Sequence, residues 1–153
     1  MQSLKKSSGI SRSNSIGRII DANLNRAKEG ARVCEEVARF VLNHPKITAR
    51  LKILRHRINT LGQKIYPPAM LFNQRRVLED VGRLNSRGEL KRAGCKDVFF
   101  ANIQRVKESL RVLEEFSKLV SASRALSFKR LRYQVYEIEK EAFKKISALP
   151  DIR

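Results

Sequence analysis

A chain of 153 residues suits one domain with a real core. Its 33 Lys and Arg oppose 15 Asp and Glu, and with almost no strand signature this describes a helical protein whose surface attracts polyanions, from nucleic acid to phosphorylated metabolites. No apolar run reaches the length of a membrane span and no signal-peptide core is visible. The two cysteines lack C-x-x-C spacing, so a cytoplasmic protein with reduced thiols and no membrane partner is expected.

Residues 1–15 are Ser-rich and basic without periodicity, and read as a flexible tail. Ser13, Asn14 or Ser15 is placed to cap a first helix that runs to about Leu42. Leu24, Ala27, Ala31, Cys34, Ala38 and Val41 step by three and four, as an amphipathic helix requires. Asn43-His44-Pro45 breaks it. A second helix follows over about 47–65, with Ile47, Leu51, Leu54, Ile58, Leu61 and Ile65 as its stripe, and Tyr66-Pro67-Pro68 ends it.

The text from Asp21 to Val41 then recurs from Phe100 to Val120, both copies spelling A-N-x-x-R-x-K-E-x-x-R-V-x-E-E. The partner helix recurs too: Leu51-Lys-x-Leu-Arg-His56 matches Phe128-Lys-x-Leu-Arg-Tyr133. The repeat is therefore a helical hairpin, over about 16–65 and 97–146. Two such hairpins predict an all-α, pseudo-twofold helical bundle in a single domain, 16–148. The linking segment 66–96 has no second copy. It holds Arg75, Arg76 and Asp80 ahead of Gly82, and reads either as short helices covering one end or as a functional lid.

An apolar arc drawn from Phe40 through Cys34 to Leu24 takes in Asn23 and Arg26, with Asn102 and Arg105 at the matching places. Gly30 and Ser109, one turn on, leave room beside each guanidinium. Lys28, Arg32, Glu35 and Arg39 fall on the wet side. Two readings are open for the inward groups. They tie the bundle together, Arg26 meeting Glu29 or Glu108, or they line a shared polar cavity built for an anion. There is no P-loop, no dinucleotide turn and no H-E-x-x-H, and His44 and His56 read as surface residues.

The run I-D-A-N-L-N-R-A-K-E-G-x-R-V from Ile20, L-K-x-L-R-H from Leu51, D-V-G at Asp80, the second A-N-x-x-R copy from Ala101 and F-K-x-L-R-Y from Phe128 together resemble the alternative, non-ribokinase hydroxymethylpyrimidine phosphate kinase domain of thiamin biosynthesis. The resemblance spans about Ile19 to Glu141. In that family the domain is often fused ahead of a thiamin phosphate synthase barrel, and 153 residues are fewer than the roughly 200 a barrel needs, so synthase activity is not expected. After Arg75 the family has an acid and a hydroxyl where this chain has Arg76-Val-Leu-Glu79.

The resemblance implies an ATP- and Mg²⁺-dependent kinase that converts 4-amino-5-hydroxymethyl-2-methylpyrimidine phosphate to its diphosphate. On the kinase reading, residue types assign Arg26, Arg105, Lys129 and Arg132 to the phosphates in catalysis. Asn23, Asn102, Arg55 and Arg75 bind substrate, and Asp80 with Glu29 and Glu108 holds Mg²⁺. The implied partner is a downstream thiamin phosphate synthase, with a homodimer left open. A basic RNA- or protein-binding module, or a non-catalytic relative that bears the synthase name through fusion homologues, is the alternative.

Overall fold

The computed structural model describes residues 8–83 and 91–150, with side chains described from residue 15 onward. Helix α1 is Ser8–Glu36, running into a π-helical turn, Val37–Val41. Helix α2 is Pro45–Ile65, α3 is Pro68–Asn73, α4 is Cys95–Ser117 and α5 is Ala122–Ile146, with one 3₁₀ turn at Val77–Glu79. No strand occurs among the described residues. The fold is the expected all-α bundle of two repeated hairpins. Of the expected tail, residues 1–7 lie outside the described residues, while 8–14 belong to α1, so the helix starts well before the Ser13–Ser15 caps.

The helix boundaries follow from local chemistry. In the first hairpin the widened turn closes with Leu42 N–H donating to Val37 O and His44 N–H to Ala38 O, both at 3.0 Å. Asn43 then takes φ 49°, a left-handed stop that Asn tolerates. His44 caps α2: its Nδ1 accepts from the Ile47 N–H at 3.3 Å, and Pro45 at the first helical position needs no donor there. In the second hairpin Ser121 N–H donates to Ser117 O at 2.7 Å before α5 begins.

Helix α1 packs against α2 and α4, and α5 against α4 and α2, which closes a four-helix ring. Ile20, Leu24, Ala27, Ala31 and Cys34 of α1 meet Phe99, Ile103, Val106 and Leu110 of α4, with Leu51, Leu54, Ile58, Phe128, Val135 and Ile138 completing the core. Gly30 marks the close crossing of α1 and α4. A Cβ there would stand 2.9 Å from the Asn102 carbonyl oxygen and 3.0 Å from Val106 Cγ2. The room that Gly30 leaves is therefore filled by the α4 backbone, not kept beside a guanidinium.

Each hairpin is stapled by the same ion cluster. Glu35, 4% exposed, accepts from Arg32 Nη1 at 3.2 Å and from Arg55 Nε at 3.1 Å. Its repeat equivalent Glu114, 5% exposed, accepts from Arg111 Nη1 and Arg132 Nε, both at 3.0 Å. A carboxylate this deeply buried requires such partners. The repeated R-V-x-E-E text and the repeated L-R of the partner helix are the two halves of this staple. Glu35 is thus inside the bundle, contrary to its expected place on the wet side.

Candidate functional site: a cleft between α1 and the linking segment

The repeat is broken at one point that matters. Asp21 of α1 has Phe100 as its counterpart in α4. Phe100 packs edge-on against Phe99 and beside Phe143. Asp21 is buried, and Arg75 of the linking segment reaches down to it with both arms of its guanidinium, Nε to Oδ2 at 2.5 Å and Nη2 to Oδ1 at 2.8 Å. The hydrogen bond to Asp21 raises the Arg75 pKa, more than partial burial lowers it, so the guanidinium keeps its charge. Arg75 also lies over the Phe72 ring, 4.5 Å from its centre. Gln74, beside it, occupies the space next to Gly17, so the segment docks on α1.

On one side of the Asp21–Arg75 pair lies a cleft of about 500 Å³, in which Arg18, Arg26, Arg75 and Arg76 face two carboxylates, Asp21 and Asp80. Arg76 is held by Glu79 at 3.3 Å. Arg18 and Arg26 have no ion-pair partner among the described residues. Asp80 Oδ1 accepts from the Gly82 N–H at 2.9 Å, which fixes the D-V-G turn as an Asx turn. On the other side a cavity of about 360 Å³ carries Tyr66 and Phe72 with the amides of Asn25, Asn59 and Gln63. Lys28 Nζ reaches Asn59 Oδ1 there at 3.5 Å. Asp21, Asn25 and Arg75 border both halves. One half offers positive charge. The other offers flat apolar faces and amides.

The predicted site residues do not all converge here. Asn23 lines the cationic half, its Nδ2 donating to Ile19 O at 2.9 Å. Asn102 makes the same bond to Val98 O at 2.8 Å but borders neither half. Arg26 borders the cleft from an exposed position, whereas Arg105 is exposed on α4 and borders neither half, so the expected cavity shared by Arg26 and Arg105 does not form. The expected arc erred because Phe40, which is 62% exposed, anchored it too far to one side. The buried arc runs instead from Gly30 and Asn23 round to Glu35, leaving Arg26 just outside. The alternative tie to Glu29 or Glu108 is absent too, since neither acid forms an ion pair with Arg26 or Arg105 among the described residues.

Arg55 and Arg132 are committed to Glu35 and Glu114. Burial opposes the Arg132 charge, but hydrogen bonds to Tyr136 and Glu114 outweigh it and raise the pKa. Lys129 is exposed on α5 and lines neither half of the cleft. The expected Mg²⁺ set is not assembled. Glu29 is exposed on α1, and Glu108 on α4 accepts from Gln104 at 2.8 Å. Among the described residues no three His, Cys, Asp or Glu side chains are grouped to hold a metal. No helix among them is long and apolar enough to cross a membrane. Sequence reasoning missed the Asp21–Arg75 pair and Arg18, which has no ion-pair partner among the described residues. The readable signal was Asp21, the one acid of the first copy replaced by an aromatic in the second.

Known proteins match most of this chain in sequence. A thiamine-phosphate synthase of Nostoc punctiforme is 41% identical over 124 residues, covering 81% of this chain and 34% of that protein. Another, of Rhodopirellula baltica, is 36% identical over 138 residues, 90% of this chain and 36% of that protein. A third, of Synechocystis sp., is 40% identical over 125 residues, 81% and 35% respectively. The chain thus spans about a third of the length of the curated relatives it matches. No solved structure matches. These names correct the expectation of an ATP-dependent pyrimidine phosphate kinase: the relatives are named for the synthesis of thiamine phosphate, and nothing in the comparisons supports a kinase or ATP as its substrate. What holds is the coarser reading from the repeated motifs, a family of thiamin biosynthesis. Matching it over residues 18–141, the chain belongs to the ThiD2 family.

Proposed function

We propose that this chain acts in thiamine phosphate synthesis as a helical ligand-binding unit, holding a phosphorylated pyrimidine in the two-part cleft around Asp21 and Arg75. The observation that carries this reading is the pair Arg18 and Arg26. Both face a concave space in which Asp21 is already neutralised by Arg75, so their charge is available to a phosphate. The adjoining half suits a flat heteroaromatic ring, which Tyr66 and Phe72 can cover while Asn25, Asn59 and Gln63 meet ring nitrogens and an amino group. The names of the relatives support the pathway. Mg²⁺ enters this reading only with the ligand's phosphates, and Asp80 is the carboxylate at the cleft that no arginine among the described residues holds. The partner in this reading is the synthase activity that joins the pyrimidine to its second half.

The repeat supplies an internal control. Arg26→Ala should weaken binding of the pyrimidine phosphate or of thiamine phosphate by about tenfold or more, because a charge-assisted contact is lost. Arg105→Ala, at the equivalent exposed place, should leave it unchanged. Calorimetric titration of the purified chain decides. If neither ligand binds, or if both variants weaken binding equally, the cleft is not the site.

A further inference from the structure

Helices α2 and α5 run antiparallel along the bundle, and the repeat relates them residue by residue at an interval of seventy-seven. The Arg57 Nη1 bond to Gln134 Oε1, at 3.4 Å, joins two equivalent positions and so marks the centre of the seam. Towards one end, Arg50 is neutralised by Glu137 at 3.3 Å and Glu141 at 2.6 Å, and Lys46 adds a second cation to Glu141. Towards the other end the equivalents of Glu137 and Glu141 are Thr60 and Lys64, and the equivalent of Arg50 is Ser127. Both acids have gone. Arg130 takes the place of Ile53 across the seam.

This end is a groove of about 470 Å³ between the two helices, floored by Leu61 and Leu131 with Ile53 at its edge. His56, Arg57, Lys64 and Arg130 line it, and no carboxylate does. Lys64 and Arg130 have no ion-pair partner among the described residues, and Arg57 meets only the Gln134 amide. The Thr60 hydroxyl adds a donor beside the apolar floor, while that of Ser127 already donates to the Ser123 carbonyl at 3.1 Å. The groove shares no lining residue with the Asp21–Arg75 cleft.

From this we infer that the α2–α5 groove is a second ligand site, for a small organic phosphate with an aromatic body. The uncompensated cations call for an anion, since the opposite end of the same seam is filled by the protein's own carboxylates. The concave shape and apolar floor call for a compact aromatic group attached to it, which a nucleic-acid backbone lying along a surface does not require.

The test is residue-resolved NMR of the purified chain titrated with phenyl phosphate. The backbone amides of Thr60, Ser127 and Gln134 should shift in a saturable way while those around Glu137 and Glu141 do not. Arg130→Ala and Lys64→Ala, both at exposed positions that spare the core, should each weaken the effect by about tenfold. Three outcomes overturn the inference. The groove amides fail to shift, or inorganic phosphate binds as tightly as phenyl phosphate, or a short oligouridylate binds more tightly than either with a steep salt dependence. The last would make this face an RNA-binding surface. None of these outcomes bears on the Asp21–Arg75 cleft.

Discussion

At the scale of single residues, depth in the bundle decides how each ionisable group behaves. Arg75 reaches a buried carboxylate from a partly exposed position, so Arg75→Ala strands Asp21. After allowance for solvent around Arg75, the loss should be about 2 kcal/mol in a urea titration, with the linking segment freed from α1. A loss within error would mean that Asp21 finds water instead. Cys34 is fully buried and its thiol donates to the Phe99 carbonyl at 3.5 Å. Burial, with a smaller push from the Glu139 carboxylate, raises its pKa far above the usual thiol range. Iodoacetamide at mildly alkaline pH should therefore modify the half-buried Cys95 and spare Cys34 until the chain unfolds, as mass spectrometry of the two peptides would show.

At the scale of elements, the repeated staple and the glycine crossing hold the hairpins. Arg55→Ala leaves Glu35 buried with one exposed partner and should lower stability by about 3 kcal/mol, whereas Arg32→Ala, on the half-exposed side of the same cluster, should change it by under about 1 kcal/mol. Equal effects from the two would show that Glu35 does not depend on its interhelical partner. Gly30→Ala brings a methyl onto the Asn102 carbonyl. The gain in helix propensity, about 1 kcal/mol, does not offset the forced separation of α1 and α4, and a net loss of about 1–2 kcal/mol in thermal unfolding is expected.

At the scale of the whole molecule, excess positive charge opposes compaction. Melting temperature should rise as sodium chloride is raised from low to physiological strength, because self-repulsion of a chain with formal net charge +18 is screened. Acid acts in the opposite sense. Partial burial raises the Glu141 pKa, but hydrogen bonds from Lys46 and Arg50 lower it by more, so its folded value lies below the unfolded one. Its contribution is present above the unfolded pKa and is lost as pH falls through the folded one. Stability measured from pH 6 down to pH 3 should fall less steeply in Glu141→Gln than in the native chain. Parallel curves would remove Glu141 from the acid response.

The periodic text of two hairpins was sufficient for the all-α bundle and for its core from Leu24 to Ile138. Core burial follows from spacing along a helix, and spacing is written in the chain. The family was legible for the same reason, as a long repeated string. The choice among near-equivalent arginines was not. Arg26 and Arg105 read alike in the sequence, yet one borders a cleft and the other does not, because only the first hairpin has Arg75 folded over it. Glu35 and Arg55 looked like surface and substrate groups, and became a buried staple when α1 met α2. Which cation is consumed by an internal carboxylate depends on distances between helices, and those distances are set by packing, here by Gly30 and by the docking of Gln74 beside Gly17. Tertiary contact alone decided where positive charge remains free.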